Sequence, residues 1–598
     1  MPSPSDTKIV RIGGASGFWG DSMVGAPQLV NSGGIDYLVF DYLAETTMAI
    51  LAAVRARKPE MGYATDFVDI AMKAVLPEVM KRGIKVVANA GGIHPQGCAA
   101  ALQALADSLG LAPKIAVVEG DDVSAQMPAL REAGTTDMFS AEPLPEKVLS
   151  ANAYLGALPV ARALAAGADI VITGRGVDSA VTLGPLIHEF GWSAEDYDAL
   201  AGGSLAGHII ECGCQATGGL HTDWQAVPDW AHIGYPIIHC RADGSFDVTK
   251  PAGTGGAILR AAIAEQLLYE IGDPGAYRLP DVCCDFREVR IEQLDAEHVR
   301  VSGARGRAPG GQYKVSATQM TGWRCAGTMV IVGIDAAAKA RRTGEAILER
   351  TRGILKGLGL PDYTRTAVTV LGDETLYGPH ARTQGVREAW MRVVADHPMK
   401  AALEIFAREI APSGTSWSPG TTGPGAGRPS PSPHIKPFAF LLDKARVPVQ
   451  VRIGDQVLAV EIPAGGQASP APALPDPAAW AEPDEPQVLV PLVKLAWARS
   501  GDKGNIANIG LIARRPEWLP LLWARVTPEV VARYFAHLVR GPVERFHLPG
   551  LHAMNILMHE ALDGGGPAST RMDPLGKGMG QMLLDLPVAV PQSLVATL

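Results

Sequence analysis

Acidic and polar side chains follow the ends of several apolar runs in the first two hundred residues. A carboxylate in such a place can act as a general base or bind a hard divalent ion, whereas an amide or an arginine can hold a substrate oxygen. Some of these carboxylates are equally well explained as helix caps or first-turn residues. The candidate catalytic residues are Asp41, Glu45, Asn89, Glu119 and Arg175, with Asp121 and Asp122 in the same acidic group.

The glycine-rich segment GGASGFWGDS, at 13–22, follows the first apolar run. Its glycines do not fall in the G-x-G-x-x-G register of a dinucleotide loop, and two bulky aromatic residues interrupt it. The sequence therefore argues against NAD as a cofactor. We instead predict that the loops after the apolar runs contact a small-molecule substrate, through Phe18, Trp19, Asp21, Ser22, Gly91, Gly92 and His94.

A second glycine-rich segment, KPAGTGG, immediately precedes a helix predicted at 257–271. Glycine amides at a helix N-terminus can hold a phosphate or a carboxylate, and a lysine adds positive charge. An ordinary N-terminal turn with a threonine cap explains the same residues as well. The candidate anion-binding residues are Lys250, Gly253, Thr254, Gly255 and Gly256.

Two further groups of polar residues have a spacing that suits a site. His208 and Glu211 are three residues apart, so on a helix they share a face and can share a proton, although a structural hydrogen bond is the commoner outcome. RSGDKGN carries more polar side chains than a turn needs, and we predict a loop that binds substrate through Arg499, Asp502, Lys503 and Asn505.

The elements that must position these residues are strands and crossover helices. Five nearly continuous apolar runs, KIVRI, DYLVF, IKVVA, KIAVV and ADIVI, predict strands covered on both faces, and amphipathic segments at 64–81, 99–109 and 159–166 predict the helices between them. The fold class is therefore α/β, with a parallel sheet. Since the loops at the carboxyl ends of parallel strands converge, the candidate site lies there.

Composition divides the chain into a core at 1–463, a linker at 464–486 and a domain at 487–598. Within the core, 1–200 is the parallel α/β part and 201–463 an α+β part, in which 413–434 is a Pro/Gly/Ser/Thr loop. The linker is rich in Ala and Pro. The last domain predicts a ferredoxin-like α+β sandwich with helices at 528–538 and 551–562 and a final strand, GQMLLDLPV; the second helix places His552, Asn555 and His559 on one face.

Charge and composition exclude several classes of protein. A net charge of −9 and the absence of basic runs argue against nucleic acid as a partner. No signal peptide or long apolar stretch is present, so we expect a cytoplasmic protein with no membrane partner. The seven cysteines include no CxxC pair and suit buried, reduced thiols better than disulfides or a zinc site.

Eight segments, in this order, resemble those of the acyclic terpene utilisation family AtuA: GGASGFWGDS, FDYLAETTM, NAGGIHPQG, ITGRGVDSA, AGHIIECGCQATGG, TKPAGTGG, ARSGDKGNIANIG and MNILMHEALDGGG. The resemblance covers nearly the whole chain, with an AtuA core followed by an AtuA-like ferredoxin domain. It implies a role in the catabolism of acyclic terpenoids through acyl-CoA intermediates. It supplies no catalytic residues.

These observations lead to two hypotheses of different classes. The first is a catabolic enzyme, a lyase or hydratase that acts by acid–base chemistry on a carboxylate or acyl-CoA, with Phe18 and Trp19 as a wall for the hydrophobic chain. The alternative is a non-catalytic subunit that binds a metabolite or a partner protein. We expect a homo-oligomer, and a divalent ion would suit the acidic group.

Overall fold

The computed structural model of the chain describes residues 8–32, 34–423, 427–467 and 470–598. Up to residue 210 the elements are, in chain order, β1 (Val10–Gly14), α1 (Gly25–Ser32), β2 (Tyr37–Phe40), α2 (Glu45–Arg55), α3 (Lys73–Arg82), β3 (Lys85–Ala88), α4 (Pro95–Ser108), β4 (Ile115–Glu119), α5 (Met127–Glu132), β5 (Ser150–Ala153), α6 (Leu158–Ala165), β6 (Ile170–Ile172), α7 (Ala180–Phe190) and α8 (Tyr197–Ile210).

The next part of the chain, up to residue 459, is richer in strands. It contains β7 (Ile237–Cys240), β8 (Phe246–Thr249), α9 (Arg260–Leu268), β9 (Tyr277–Arg278), β10 (Cys283–Asp285), β11 (Arg290–Gln293), β12 (Val299–Ser302), β13 (Arg305–Arg307), β14 (Gln312–Val332), α10 (Ala336–Gly357), β15 (Arg365–Leu371), β16 (Glu388–His397), α11 (Lys400–Glu409), α12 (Ser413–Ser416), β17 (Ser432–Asp443), β18 (Gln450–Ile453) and β19 (Gln456–Ala459).

The C-terminal part begins with β20 (Gln487–Pro491). There follow β21 (Ala496–Lys503), β22 (Ile506–Ala513), α13 (Leu519–Arg525), α14 (Pro528–Tyr534), β23 (Val543–Leu548), β24 (Ala553–Met558), α15 (Met579–Leu583), β25 (Pro587–Pro591) and α16 (Gln592–Val595).

The five predicted strands form the centre of one large sheet. β1, β2, β3, β6 and β4 lie side by side in that order and every neighbouring pair is parallel, so the predicted α/β fold with a parallel sheet is confirmed. Both faces are buried, because Val87 packs into one hydrophobic cluster while Val86 and Ala88 pack into the other. Burial on both faces explains why these runs are apolar at every position.

The same sheet continues through strands from the second half of the core. β7, β8, β12 and β11 extend it beyond β1, and β18 and β19 extend it beyond β4. A separate sheet is built on the 21-residue strand β14, which pairs with β5, β16 and β17. In the loop predicted at 413–434, α12 forms near the start and β17 begins at Ser432, while 424–426 lie outside the described residues.

The C-terminal domain has a four-stranded sheet in the order β21-β22-β24-β23, with β20 and β25 paired beside it. The helix predicted at 551–562 is wrong, because 553–558 form β24. Its residues are buried on both faces, so the segment lacks the polar alternation that marks a strand. The predicted stripe of His552, Asn555 and His559 is therefore not a helix face. The predicted final strand is also wrong in part, because α15 occupies its first half.

The C-terminal sheet packs directly onto the end of α9. Asn508 donates from Nδ2 to the Leu268 carbonyl oxygen (2.7 Å), and Asn555 donates to the carbonyl oxygens of Ile271 and Gly272 (2.8 and 2.6 Å). These carbonyls belong to a helix C-terminus and the residues after it, which need donors from outside the helix. The two asparagines thus fix the C-terminal domain against the core. No helix among the described residues is long and apolar enough to cross a membrane.

Candidate active site at the carboxyl ends of the parallel strands

Three neighbouring parallel strands bring Asp41, Asn89 and Arg175 together. Asp41 and Asn89 directly follow β2 and β3, and Arg175 follows β6 by three residues. Asn89 donates from Nδ2 to Asp41 Oδ1, and its Oδ1 accepts a hydrogen bond from the Tyr42 amide (2.7 Å). Both functional groups of Asn89 are thus occupied, so this buried amide positions Asp41 and the loop after β2.

Asp41 is a buried carboxyl in an acidic neighbourhood. Burial raises its pKa well above the ordinary value, and the charges of Asp178 and Glu211 raise it further, against the opposing effect of Arg175. Asp41 therefore holds its proton at a pH where an exposed aspartate is ionised. A protonated carboxyl of this kind is equipped to donate a proton to a bound molecule.

Arg175 is a fixed cation beside Asp41, with only 3% of its surface exposed. Its Nη1 donates to Asp178 Oδ1 (2.6 Å) and to the Gly176 carbonyl oxygen (2.8 Å), and its guanidinium lies 4.1 Å from the ring centroid of Tyr154. Its Nε is buried and has no hydrogen-bond partner in the described part of the chain. A buried donor without a partner is costly, so this group is suited to a ligand oxygen.

Glu45, at the start of α2, is held in its ionised form. It accepts hydrogen bonds from the Tyr154 hydroxyl (2.5 Å) and from Lys314 Nζ (3.2 Å). Burial opposes the charge, but Lys314, Arg175 and the Tyr154 hydrogen bond together lower the pKa of Glu45 below its ordinary value. Glu45 thus serves as a fixed negative charge that orders Tyr154 and Lys314.

His208 and Glu211 form a buried pair at the end of α8. His208 Nδ1 lies 2.8 Å from Glu211 Oε1, and its Nε2 lies 3.1 Å from the Leu267 carbonyl oxygen. A carbonyl oxygen only accepts, so Nε2 carries a hydrogen and a second proton is shared between Nδ1 and the carboxylate. Burial raises the pKa of Glu211, whereas the pKa of His208 is raised by Glu211 against the effect of burial. The pair therefore stores one exchangeable proton beside Asp41.

The C-terminal domain contributes two more charged side chains to this cluster. Lys503, the last residue of β21, keeps part of its surface in solvent, and its Nζ lies 5.7 Å from the ring centroid of Tyr277. Its surroundings disfavour charge by desolvation, but Tyr277, Glu270 and Asp178 raise the pKa of Lys503. Burial and Glu270 raise the pKa of Asp502 to about 7, against the effect of Lys577. Asp502 is thus poised to exchange a proton near neutral pH.

The structure does not bring Glu119 into this cluster. Its carboxylate accepts from Arg452 Nε (2.9 Å), Gln450 Nε2 (2.7 Å) and Gln96 Nε2 (2.6 Å), where β18 joins β4. These partners lower its pKa against the effect of burial. Glu119 therefore links the last parallel strand to the strand beside it, a pairing that lies more than 300 residues away in the chain.

The predicted substrate loops after β1 and β3 use many of their polar groups internally. Asp21 accepts from the Gly17 amide (2.8 Å) and the Tyr235 hydroxyl (2.9 Å), while Ser22 is exposed. The amides of Gly91 and Gly92 donate to the carbonyl oxygens of Thr173 and Asn89, so neither points an N–H at a substrate. His94 precedes α4, and burial and Arg55 lower its pKa.

The two aromatic residues of the loop after β1 differ in their exposure to solvent. Phe18 is 56% exposed, whereas Trp19 is half-buried and packs on a core cluster. The loop glycines serve close packing within the protein: a Cβ at Gly14 would lie 2.7 Å from the Ile210 carbonyl oxygen, and one at Gly17 would lie 2.8 Å from the Cys212 backbone. These two glycines therefore let the loop pack closely against the C-terminal end of α8.

The segment KPAGTGG forms backbone hydrogen bonds with the loop at 227–234. The Gly255 and Gly256 amides donate to the carbonyl oxygens of His232 and Pro228 (2.8 and 2.9 Å), and α9 begins only at Arg260. Lys250 Nζ donates to the Thr254 carbonyl oxygen (3.0 Å), while Gly253 has a left-handed φ of 75°. The segment therefore braces 227–234, and the predicted anion cradle does not form at Gly255 and Gly256.

The predicted loop RSGDKGN is mostly strand, since β21 runs to Lys503 and only a tight turn follows. Asn505 accepts from the amides of Leu562 (3.1 Å) and Gly564 (2.9 Å) and so holds the chain after β24. Arg499 lies on β21, away from the cleft cluster, in the wall of a cavity described below. In the described ranges no group of three or more His, Cys, Asp or Glu side chains could hold a metal ion.

Comparison with protein families agrees with this architecture. The family described as acyclic terpene utilisation family protein AtuA matches residues 10–453, and the AtuA ferredoxin-like domain matches residues 490–589. The chain is a member of the AtuA family. Neither the curated proteins nor the solved structures contain a match.

Three residues of this cluster in the AtuA-family chain were not found from the sequence: Tyr154, Lys314 and Tyr277. Lys314 lies on β14 between the buried Tyr313 and Val315, and the backbone of β14 meets the chain after β5 through the Tyr154 amide (2.9 Å). A lysine at an alternating position of a strand is typical of a solvent-facing residue. Its meeting with Glu45, 269 residues away, has no local signal.

Proposed function

We propose that this AtuA-family chain is an enzyme of acyclic terpene utilisation that acts on a small carboxylate or an acyl-CoA by acid–base chemistry, as a lyase or hydratase. The observation that carries this proposal is the pair formed by Asp41, a carboxyl whose pKa is raised, and Arg175, a buried cation with an unpartnered Nε. A scaffold has no need of either group.

The charges of the cleft favour an anionic substrate. Arg175, Lys314 and Lys503 are cations, Glu45 and Asp178 are the carboxylates that face Arg175, and Glu270, which lies near Lys503, is ion-paired with Lys577 (2.6 Å). With Asp41 protonated, His208–Glu211 neutral as a pair and Asp502 partly protonated near pH 7, the cations of the cluster outnumber its carboxylates. Arg175 would hold the substrate carboxylate or thioester oxygen through its Nε.

Proton transfer is assigned to two groups. Asp41 donates its proton to a leaving oxygen during elimination, or takes one from water in the reverse addition, and Asn89 holds the carboxyl in place. His208 and Glu211, as imidazolium and carboxylate, take up the second proton on the Glu211 carboxylate and return it in the reverse direction. Because Asp41 acts in its protonated form, turnover should fall as the pH rises through the raised pKa of Asp41.

The test compares Asp41→Asn with the exposed control Asp36→Asn. A strain without this protein is grown on an acyclic terpenoid, the accumulating metabolite is identified, and each variant is supplied in turn. Wild type and Asp36→Asn should remove the metabolite, while Asp41→Asn should slow its removal by at least about 100-fold, the usual contribution of general acid–base catalysis.

Circular dichroism and thermal unfolding of the purified variants establish that Asp41→Asn is folded. Removal of the metabolite at the wild-type rate by Asp41→Asn would contradict the proposal. If a second protein also co-purifies with wild type and carries the activity, the non-catalytic subunit is the better description.

A further inference from the structure

A cavity of about 560 Å³ lies between the core and the C-terminal domain. Its volume is within the range of about 300–1,000 Å³ that is usual for small-molecule sites. The core supplies most of its apolar lining together with Gln215, His221 and Thr222, and the C-terminal domain supplies a mainly polar side. Its walls include none of the residues assigned to proton transfer above. The apolar wall consists of Leu220, Trp224, Val227, Trp230 and Ile233.

The two tryptophans are unusually exposed for such large apolar groups. Trp224 and Trp230 are 54% and 58% exposed, and their rings meet edge to face with centroids 5.7 Å apart. Neighbouring exposed aromatic rings that line a concave surface indicate a binding site for an apolar group. An aliphatic chain laid against both rings would remove this surface from water.

The backbone of this wall is held in an unfavourable conformation. Leu220 and Asp229 have left-handed φ values of 61° and 45°, which non-glycine residues rarely adopt. Gly255, in KPAGTGG, packs so closely on Asp229 that a Cβ would overlap its carbonyl oxygen. Strain that is retained by tight packing is common at ligand sites, and here the glycine segment holds the loop that carries Trp230 in place.

The polar wall carries one cation without a counter-ion. Arg499 donates to Gln215 Oε1 (2.8 Å) and the Leu220 carbonyl oxygen (3.3 Å), and its guanidinium lies 4.8 Å from the ring centroid of Tyr269. No carboxylate of the described residues forms an ion pair with it. Lys577, also in the wall, is already paired with Glu270 (2.6 Å) and Asp502 (3.2 Å). Arg499 is therefore the group that selects an anion.

We propose that this cavity binds an aliphatic carboxylate, with the hydrocarbon chain against Trp224 and Trp230 and the carboxylate on the Arg499 guanidinium. The site goes beyond the proposed reaction at Asp41, because binding here requires no proton transfer. Gln215 lies four residues after Glu211, so the same short segment connects the two sites.

The test measures binding of octanoate, octan-1-ol and acetate by isothermal titration calorimetry with the full chain. Octanoate should bind, octan-1-ol should bind at least 10-fold more weakly, and acetate should show no heat of binding at millimolar concentration. A charge-assisted hydrogen bond accounts for a difference of about 10- to 100-fold. Equal binding of octanoate and octan-1-ol, or no binding of octanoate, would overturn the proposal.

Substitutions in each wall test the contributions of the polar wall and the apolar wall to binding. Arg499→Met should reduce octanoate affinity to that of octan-1-ol without changing octan-1-ol binding, and Trp230→Ala should weaken both ligands at least 10-fold. Arg515→Met is the matched control, since Arg515 also lies over an aromatic ring, that of Trp518, outside the cavity. If Arg499→Met does not fold, Arg499→Lys, which retains the charge, should still prefer octanoate. An equal effect of Arg499→Met and Arg515→Met would refute the role of Arg499.

Discussion

The raised pKa of Asp121 can be tested through the pH dependence of stability, without a substrate. Its carboxylate lies beneath the Arg175 loop, where Oδ2 accepts from the Arg175 amide (2.9 Å) and from Asn152 Nδ2 (2.8 Å). Burial raises the pKa of Asp121 to about 6 from 3.8, and these hydrogen bonds only partly offset the effect of burial. The perturbation is Asp121→Asn, which removes the titrating group.

The magnitude follows from linkage between protonation and folding. Because the pKa in the folded state is higher, the unfolded chain loses this proton first, and stability falls as the pH rises from about 4 to about 6. A shift of about 2 pKa units corresponds to about 3 kcal/mol in the free energy of unfolding. Between pH 4 and pH 7 the free energy of unfolding of wild type should therefore fall by about 2 kcal/mol more than that of Asp121→Asn. A pH-independent difference in stability caused by the substitution does not affect this comparison.

The assay is urea unfolding of wild type and Asp121→Asn, side by side, at pH 4, 5, 6 and 7. The difference between their unfolding free energies should shift by about 2 kcal/mol in favour of Asp121→Asn from pH 4 to pH 7. Other carboxylates titrate in both proteins and cancel in this difference. A pH-independent difference, or one of the opposite sign, would refute the argument that Asp121 is desolvated beneath the Arg175 loop.

Two further predictions concern packing and the thiols. Gly510→Ala should destabilise the attachment of the C-terminal domain by about 1–3 kcal/mol, because a Cβ there would overlap Leu268. Limited proteolysis should therefore release the domain sooner in this variant than in the control Gly272→Ala, where the new Cβ contacts no other atom. Burial raises the pKa of the Cys98 and Cys240 thiols, so at pH 8 neither should react with Ellman's reagent until guanidinium unfolds the chain. A fast reaction of either thiol in the native protein, or unchanged proteolysis of Gly510→Ala, would contradict these expectations.

Part of the candidate site was predictable because its residues have a local signal. Asp41, Asn89 and Arg175 each follow a short apolar run, and in a parallel sheet such positions share one edge. Glu119 follows a run of the same kind, yet it pairs with Arg452 of an added strand. The sequence near residue 119 is the same for either outcome, so no local pattern distinguishes a cleft carboxylate from an edge ion pair.

The α/β class, the five parallel strands and the family were predictable from the amino-acid sequence, because repeated apolar runs and contiguous motifs are short-range properties of a chain. Three other features are visible only in the folded chain: Lys314 meets Glu45, β24 is a strand, and Arg499 lines the same cavity as Trp224 and Trp230. These features depend on pairings between distant segments. Such pairings are selected by the apolar surface that distant segments bury against each other, and a short stretch of sequence does not show which segments these are.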